Sequence, residues 1–95
     1  MITYKDDDYK IIKDSRGYVL INLNGEEKNH AHVQKSETCF LLIKLIARKI
    51  VPKSKYLQES AIRVTTDESY VEKILNKQAK NKDKEKYTNV NKGVR

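Results

Sequence analysis

The chain has 95 residues, of which 38% are apolar and 35% charged, with a formal net charge of +7; that length supports one small domain burying roughly 60% of its unfolded surface. A single cysteine, Cys39, excludes an intramolecular disulfide framework, and the longest apolar run, Cys39 to Ile43, is far short of the roughly 20 residues that span a bilayer. Met1 to Asp8 has no apolar run and carries three aspartates, so it does not read as a secretory signal, and a cytoplasmic protein with no membrane partner is expected.

In chain order, residues 1–8 read as a mobile acidic lead. Asp6, Asp7 and Asp8 lack the Gly turn and later Glu of a calcium loop, so a solvated charge run is expected there and no metal. Residues 9–80 read as the folded domain. Tyr9–Lys13 and Tyr18–Leu23 are rich in β-branched and aromatic residues, and Asp14-Ser15-Arg16-Gly17 between them is turn chemistry that sets Ile12 opposite Val19. Asn24-Gly25 predicts a type I′ turn, because both central residues need positive φ, and a returning strand over Glu26–Val33 with Ile21 opposite Lys28 and Val19 opposite His30. One sheet face then carries Ile12, Val19 and Ile21, the other Ile11, Tyr18 and Leu20, and the pattern leaves open which one packs.

Ser36 is a good N-cap for a helix running to about Ile50, with Cys39, Leu42, Ile43, Ile46 and Ile50 on one stripe. Leu41 and Leu45 lie on another side, so this helix is expected to be central and covered on more than one flank, ending at Pro52. Ser54 caps a short helix from Lys55 to about Val64, with Leu57, Ala61 and Val64 inward. Thr65 and Glu68 form a capping box for a third helix whose packed face is Tyr70, Val71, Ile74, Leu75 and Gln78 or Ala79. The expected fold is α+β, a three-stranded antiparallel sheet followed by three helices (β-β-β-α-α-α), in a single small domain with a basic C-terminal arm over 81–95.

Charge is distributed unevenly. From Val71 onward there are eight basic residues against three acidic ones, +5 of the total +7. Lys73, Lys77, Lys80 and Lys84 repeat at i, i+4, i+7 and i+11, which is one helix face, and each like-charge i,i+4 pair costs a few tenths of a kcal/mol unless an anion row neutralises it. Lys82 and Lys86 extend the row, Tyr87 offers a stacking ring, and Lys44 with Arg48 forms a second patch. Sixteen of the twenty basic residues are Lys, a point charge suited to phosphate, whereas Arg is the usual reader of guanine edges. Backbone contact is therefore expected over sequence readout, with plain solubility as the bland alternative.

His30 and His32 alternate on the predicted third strand and share one face, with Glu37 and Cys39 at the next helix start. The arrangement resembles the histidine strand preceding the helix of ββα-metal nucleases. The helix that should bring further ligands offers Cys39, Phe40, Leu42, Ile43 and Ile46 instead, so neither a metal nor a catalytic residue is expected. Cys39 itself lies on an apolar stripe and reads as a small buried hydrophobe.

Three strands then a helix, over Tyr9–Val33 and Ser36–Ile50, resemble in element order the small DNA-binding domains of AP2 factors and of some integrase arms, which lay the sheet in the major groove. This sheet offers such a groove Lys10, Lys13, Arg16 and Lys28, without base-contacting Arg or Trp positions. The compact Lys-, Asn- and Ile-rich chain, ending Tyr87-Thr88-Asn89-Val90-Asn91-Lys92-Gly93-Val94-Arg95, also resembles small accessory proteins of phages of low-GC bacteria, a class that includes anti-CRISPR proteins. The charge pattern and the lack of a recognisable acid–base pair or nucleophile, beside these resemblances, lead to the expectation of a non-enzymatic, cofactor-free protein in a bacterial cytoplasm whose partner is nucleic acid or a nucleic-acid-handling complex, not a small-molecule substrate. The alternative is an inhibitor that blocks a larger machine by protein contact, through the sheet edge or Leu41 and Leu45.

Overall fold

A computed structural model describes residues 1–80. The element order is β1 (Ile2–Lys5), β2 (Tyr9–Asp14), β3 (Gly17–Asn22), β4 (His30–Val33), α1 (Ser36–Ala47) and α2 (Lys55–Val64), followed by a third helix, α3, over 68–80. The four strands form one antiparallel meander in the order β1-β2-β3-β4. The α+β class and three helices agree with the sequence, while the sheet has four strands where three were expected.

The added strand comes from the acidic lead. Asp6 supplies the turn chemistry: its carboxylate accepts the amides of Asp8 at 2.8 Å and Tyr9 at 2.7 Å, and the Tyr4 hydroxyl donates to it at 2.6 Å. The register shifts between Ile2 and Tyr4, so Ile2 pairs with Ile12 but Tyr4 with Ile11. Tyr4 thereby reaches the packed face, where its ring meets Phe40 of α1 edge-on at 5.0 Å. Alternating polar residues around two apolar ones gave this strand too little pattern to read.

The β2–β3 hairpin pairs Ile12 with Val19, as expected. The β3–β4 connection does not. Ile21 pairs with His30 and Val19 with His32, a slip of two residues, and no type I′ turn forms, since Asn24 and Gly25 both lack positive φ. Two buried asparagines account for the longer loop. Asn22 donates to the Val64 carbonyl at 2.9 Å, and Asn29 donates to the Arg63 and Thr65 carbonyls at 3.2 Å each while accepting from the Glu26 amide. The unpaired carbonyls at the end of α2 are satisfied by this loop. An even slip preserves side-chain parity, so the faces remain as read.

The face that packs is Ile11, Leu20, Ala31 and Val33, joined by Cys39 and Leu42 of α1, Ala61 and Val64 of α2, and Tyr70 and Ile74 of α3. All three helices lie on that side. The opposite face carries Ile12, Val19 and Ile21, half-buried, with exposed Ile2 and the two histidines.

The helix ends differ from expectation. Lys35, not Ser36, is the N-cap of α1, and no side chain caps it. Its C-terminus comes at Ala47, ahead of Pro52. The Ile50 amide donates to the Leu45 carbonyl and the Lys49 amide to Ile46, with Lys49 at φ 55°, which is a Schellman closure. Only Cys39 and Leu42 of α1 are fully buried, while Phe40, Leu41 and Ile50 are exposed, so the helix is covered on one face and not on several. Ser54 caps α2 as expected, accepting from the Leu57 amide at 3.0 Å. Asp67 takes the capping role expected of Thr65, accepting from the Ser69 and Tyr70 amides.

Candidate nucleic-acid interface

α3 is held against the end of α1 by two side chains. The buried Tyr70 hydroxyl donates to the Ile50 carbonyl at 2.6 Å, and the Lys73 ammonium donates to the Lys49 carbonyl at 2.9 Å. Both acceptors belong to the Schellman turn that closes α1. Further along, Gln78 donates to the Gln58 side chain at 3.0 Å, and Gln58 donates to the Pro52 carbonyl at 2.8 Å, which fixes α3 against α2 as well.

This docking sets the start of α3 beside the turn that closes α1. Lys44 and Arg48 stand one turn apart on α1. Lys49 follows Arg48 at the turn, Lys73 reaches its carbonyl, and Lys77 and Lys80 continue along α3. Lys73, the first of the α3 row, thus stands at the turn that follows Arg48, with Lys44 one turn back along α1. Lys73, Lys80, Lys44 and Arg48 are exposed, while Lys77 is half-buried beside the packed stripe. Leu75, expected to pack, is 48% exposed, so the buried stripe of α3 is Tyr70 and Ile74, flanked by Val71, Lys77 and Gln78. Lys82, Lys84, Lys86 and Tyr87 lie outside the described residues, as does the rest of the expected arm.

Part of this charge serves the fold. Cations near the C-terminus of a helix complement its dipole, and Lys73 bonds the Lys49 carbonyl just past the end of α1. Lys49 stands 3.5 Å from Asp67, an exposed pair worth about 0–1 kcal/mol. The Ser69 hydroxyl and the Tyr70 amide, followed by Lys49, hold the Asp67 carboxyl below its usual range. Lys44, Arg48, Lys77 and Lys80 make no side-chain hydrogen bond or ion pair among the described residues, which leaves them available to an anion. Sequence reasoning passed over Lys49, the residue on which both helices converge; its one signal was its place directly after Arg48.

The histidine strand resolves differently. His30 and His32 sit on the uncovered sheet face, rings edge-on with centroids 5.1 Å apart, and His30 Nδ1 lies 2.6 Å from the Glu27 carbonyl oxygen. Cys39 is buried in the core on the other side of the sheet, and burial pushes its thiol up to about 11. The sheet thus separates the three side chains that the sequence set near one another. Among the described residues no three His, Cys, Asp or Glu side chains gather as a metal site would require. Within the same residues no helix is long and apolar enough to cross a membrane. No family model, no curated protein and no solved structure matches the chain.

Proposed function

We propose that this protein is a small non-enzymatic binder of nucleic acid or of a ribonucleoprotein, acting in a bacterial cytoplasm and gripping phosphate backbone with little sequence preference. The observation that supports this reading is the contact between Lys73 and the Lys49 carbonyl, which sets the start of the α3 lysine row at the turn after Arg48. Lys77, Lys80, Lys44 and Arg48 contact phosphates, and Lys82, Lys84, Lys86 and Tyr87 lengthen the footprint. Four neutralised phosphates on duplex DNA give a slope of about −3.6 in log K against log salt. Changing Lys77 and Lys80 together to Gln flattens that slope by about 1.8 and weakens different sequences equally. Deleting residues 81–95 lowers affinity further and leaves the core intact, since the buried core among the described residues lies between Ile11 and Ile74. Fluorescence anisotropy over a salt series reads all three outcomes, and a slope near zero for the full chain overturns the reading.

The second reading, an inhibitor of a larger machine through protein contact, draws on the uncovered sheet face with its exposed Ile2 beside Ile12, Val19 and Ile21. Capture of partners from a bacterial lysate with and without nuclease separates the two. Retention of the same partners after nuclease favours the inhibitor.

A further inference from the structure

At the end of the sheet remote from the 23–29 loop, a hollow of about 240 Å³ opens between the β2–β3 turn, the end of β4 and the start of α2. Its lining includes Tyr18, at the border of the packed sheet face, the His32 backbone, Tyr56, and Arg16 at the turn. We propose that this hollow binds one unpaired base of a single-stranded nucleic acid, with the adjoining phosphate on Arg16. The proposal rests on the nucleic-acid reading above but places a second, separate contact on the molecule.

The Tyr56 ring is offered to solvent, while Tyr18 also packs on the core. Tyr56 is 53% exposed, and its hydroxyl donates to the His32 carbonyl at 3.3 Å, which holds the ring across the end of β4. Tyr18 is half-buried and stands between Lys13 and Val33 in the sheet register. Gly17, at φ 146°, lets the turn lie against β4; a Cβ there would collide with the Val33 carbonyl oxygen. That close approach sets the Arg16 turn at the rim.

Charge favours a phosphate. Asp14 is the acid lining the hollow, and its Oδ1 is occupied by the amides of Arg16 at 2.8 Å and Gly17 at 3.0 Å. The Arg16 guanidinium makes no hydrogen bond or ion pair among the described residues. Lys13 faces Tyr18 across the strands, Lys35 follows the lining residue Gln34, and Lys55 precedes Tyr56, while Glu37 and Glu59 lie further into their helices. An exposed ring, here Tyr56, bordered by cations is what base stacking beside a phosphate requires. An acidic peptide would use the cations and leave the ring faces idle. A duplex keeps its bases paired and has no free ring to insert. The volume lies below the range of drug-sized pockets, which suits a single base.

Amide shift mapping on the full ¹⁵N-labelled chain tests this with four probes: oligo-dT and oligo-U of about eight nucleotides, a duplex of the same length, and polyglutamate. The single strands are expected to shift residues 16–18 and 32–34, the two strand types showing whether a 2′-hydroxyl matters. Tyr56→Ala is expected to weaken single-strand binding about tenfold and leave duplex binding unchanged, while Tyr56→Phe, which keeps the ring, retains affinity. Shifts confined to α3, with no effect of Tyr56→Ala, overturn the hollow and leave the lysine reading standing. Shifts at the hollow without any at α3 support the hollow and overturn the lysine reading. Polyglutamate shifts matching those of the strands, or no shift with any probe, overturn the proposal.

Discussion

Cys39 and Asn29 show how differently single residues announce themselves. Cys39 shares a stripe with Leu42, and it is fully buried in the core as that stripe implies. Desolvation lifts its thiol to about 11, above an ordinary cysteine, so the thiolate is scarce near neutrality. The expected outcome is that an aromatic disulfide reagent at pH 8 fails to label the native chain and labels it at once in strong urea; rapid native labelling would contradict the buried placement. Asn29 gave no comparable sign. An asparagine near Asn24-Gly25 reads as turn chemistry, yet its side chain is buried and bonded to the last carbonyls of a helix 34 and 36 residues away. Local pattern carries apolar burial well because periodicity repeats it. It carries a single long-range polar contact poorly, because one residue has no period.

Between the elements, the helices were legible and their ends were not. Ser54 capped α2 as read, because a cap is a local contact between a side chain and an amide three residues on. The end of α1 depends instead on Lys49 adopting a left-handed conformation that usually falls to glycine. Neighbours hold it there: its carbonyl accepts from Lys73 and its ammonium approaches Asp67. A non-glycine residue in this region costs about 1–2 kcal/mol, and the exposed ion pair returns less than that. Lys49→Gly is therefore expected to stabilise the chain by about 1 kcal/mol, because the backbone acceptor for Lys73 survives the change. Urea denaturation checks this as a higher midpoint with unchanged slope. A lower midpoint would mean that the Lys49 side chain contributes more than an exposed pair should.

Across the described residues, the arrangement is one sheet with three helices on one face, and the sequence could not choose that face because Ile, Val and Leu appear on both. Two features decide it in the structure. The register shift in β1 turns Tyr4 toward α1, and the buried asparagines tie the sheet end to α2. Against that platform α3 buries Tyr70 and Ile74 in the core and is bonded to the end of α1 by Tyr70 and Lys73. The interface proposed above depends on this contact, so the proposed phosphate binding is expected only at pH values where the contact persists. Burial, and then the neighbouring Tyr9, raise the Tyr70 phenol above its ordinary value of 10.0. A raised value means that the folded state binds this proton more tightly than the unfolded chain does. The resulting stability is present in full below pH 10 and is lost as pH rises through the folded-state value. Ionised Tyr70 has no proton to donate to the Ile50 carbonyl, so α3 should loosen from α1 on that alkaline limb. Tyr70→Phe removes the hydrogen bond at every pH and is expected to cost about 1 kcal/mol near neutrality. The variant should also show a shallower fall in Tm above pH 10 than the parent. Thermal melts from pH 7 upward provide the comparison, and parallel alkaline limbs for the two proteins would show that Tyr70 is not the group that releases α3.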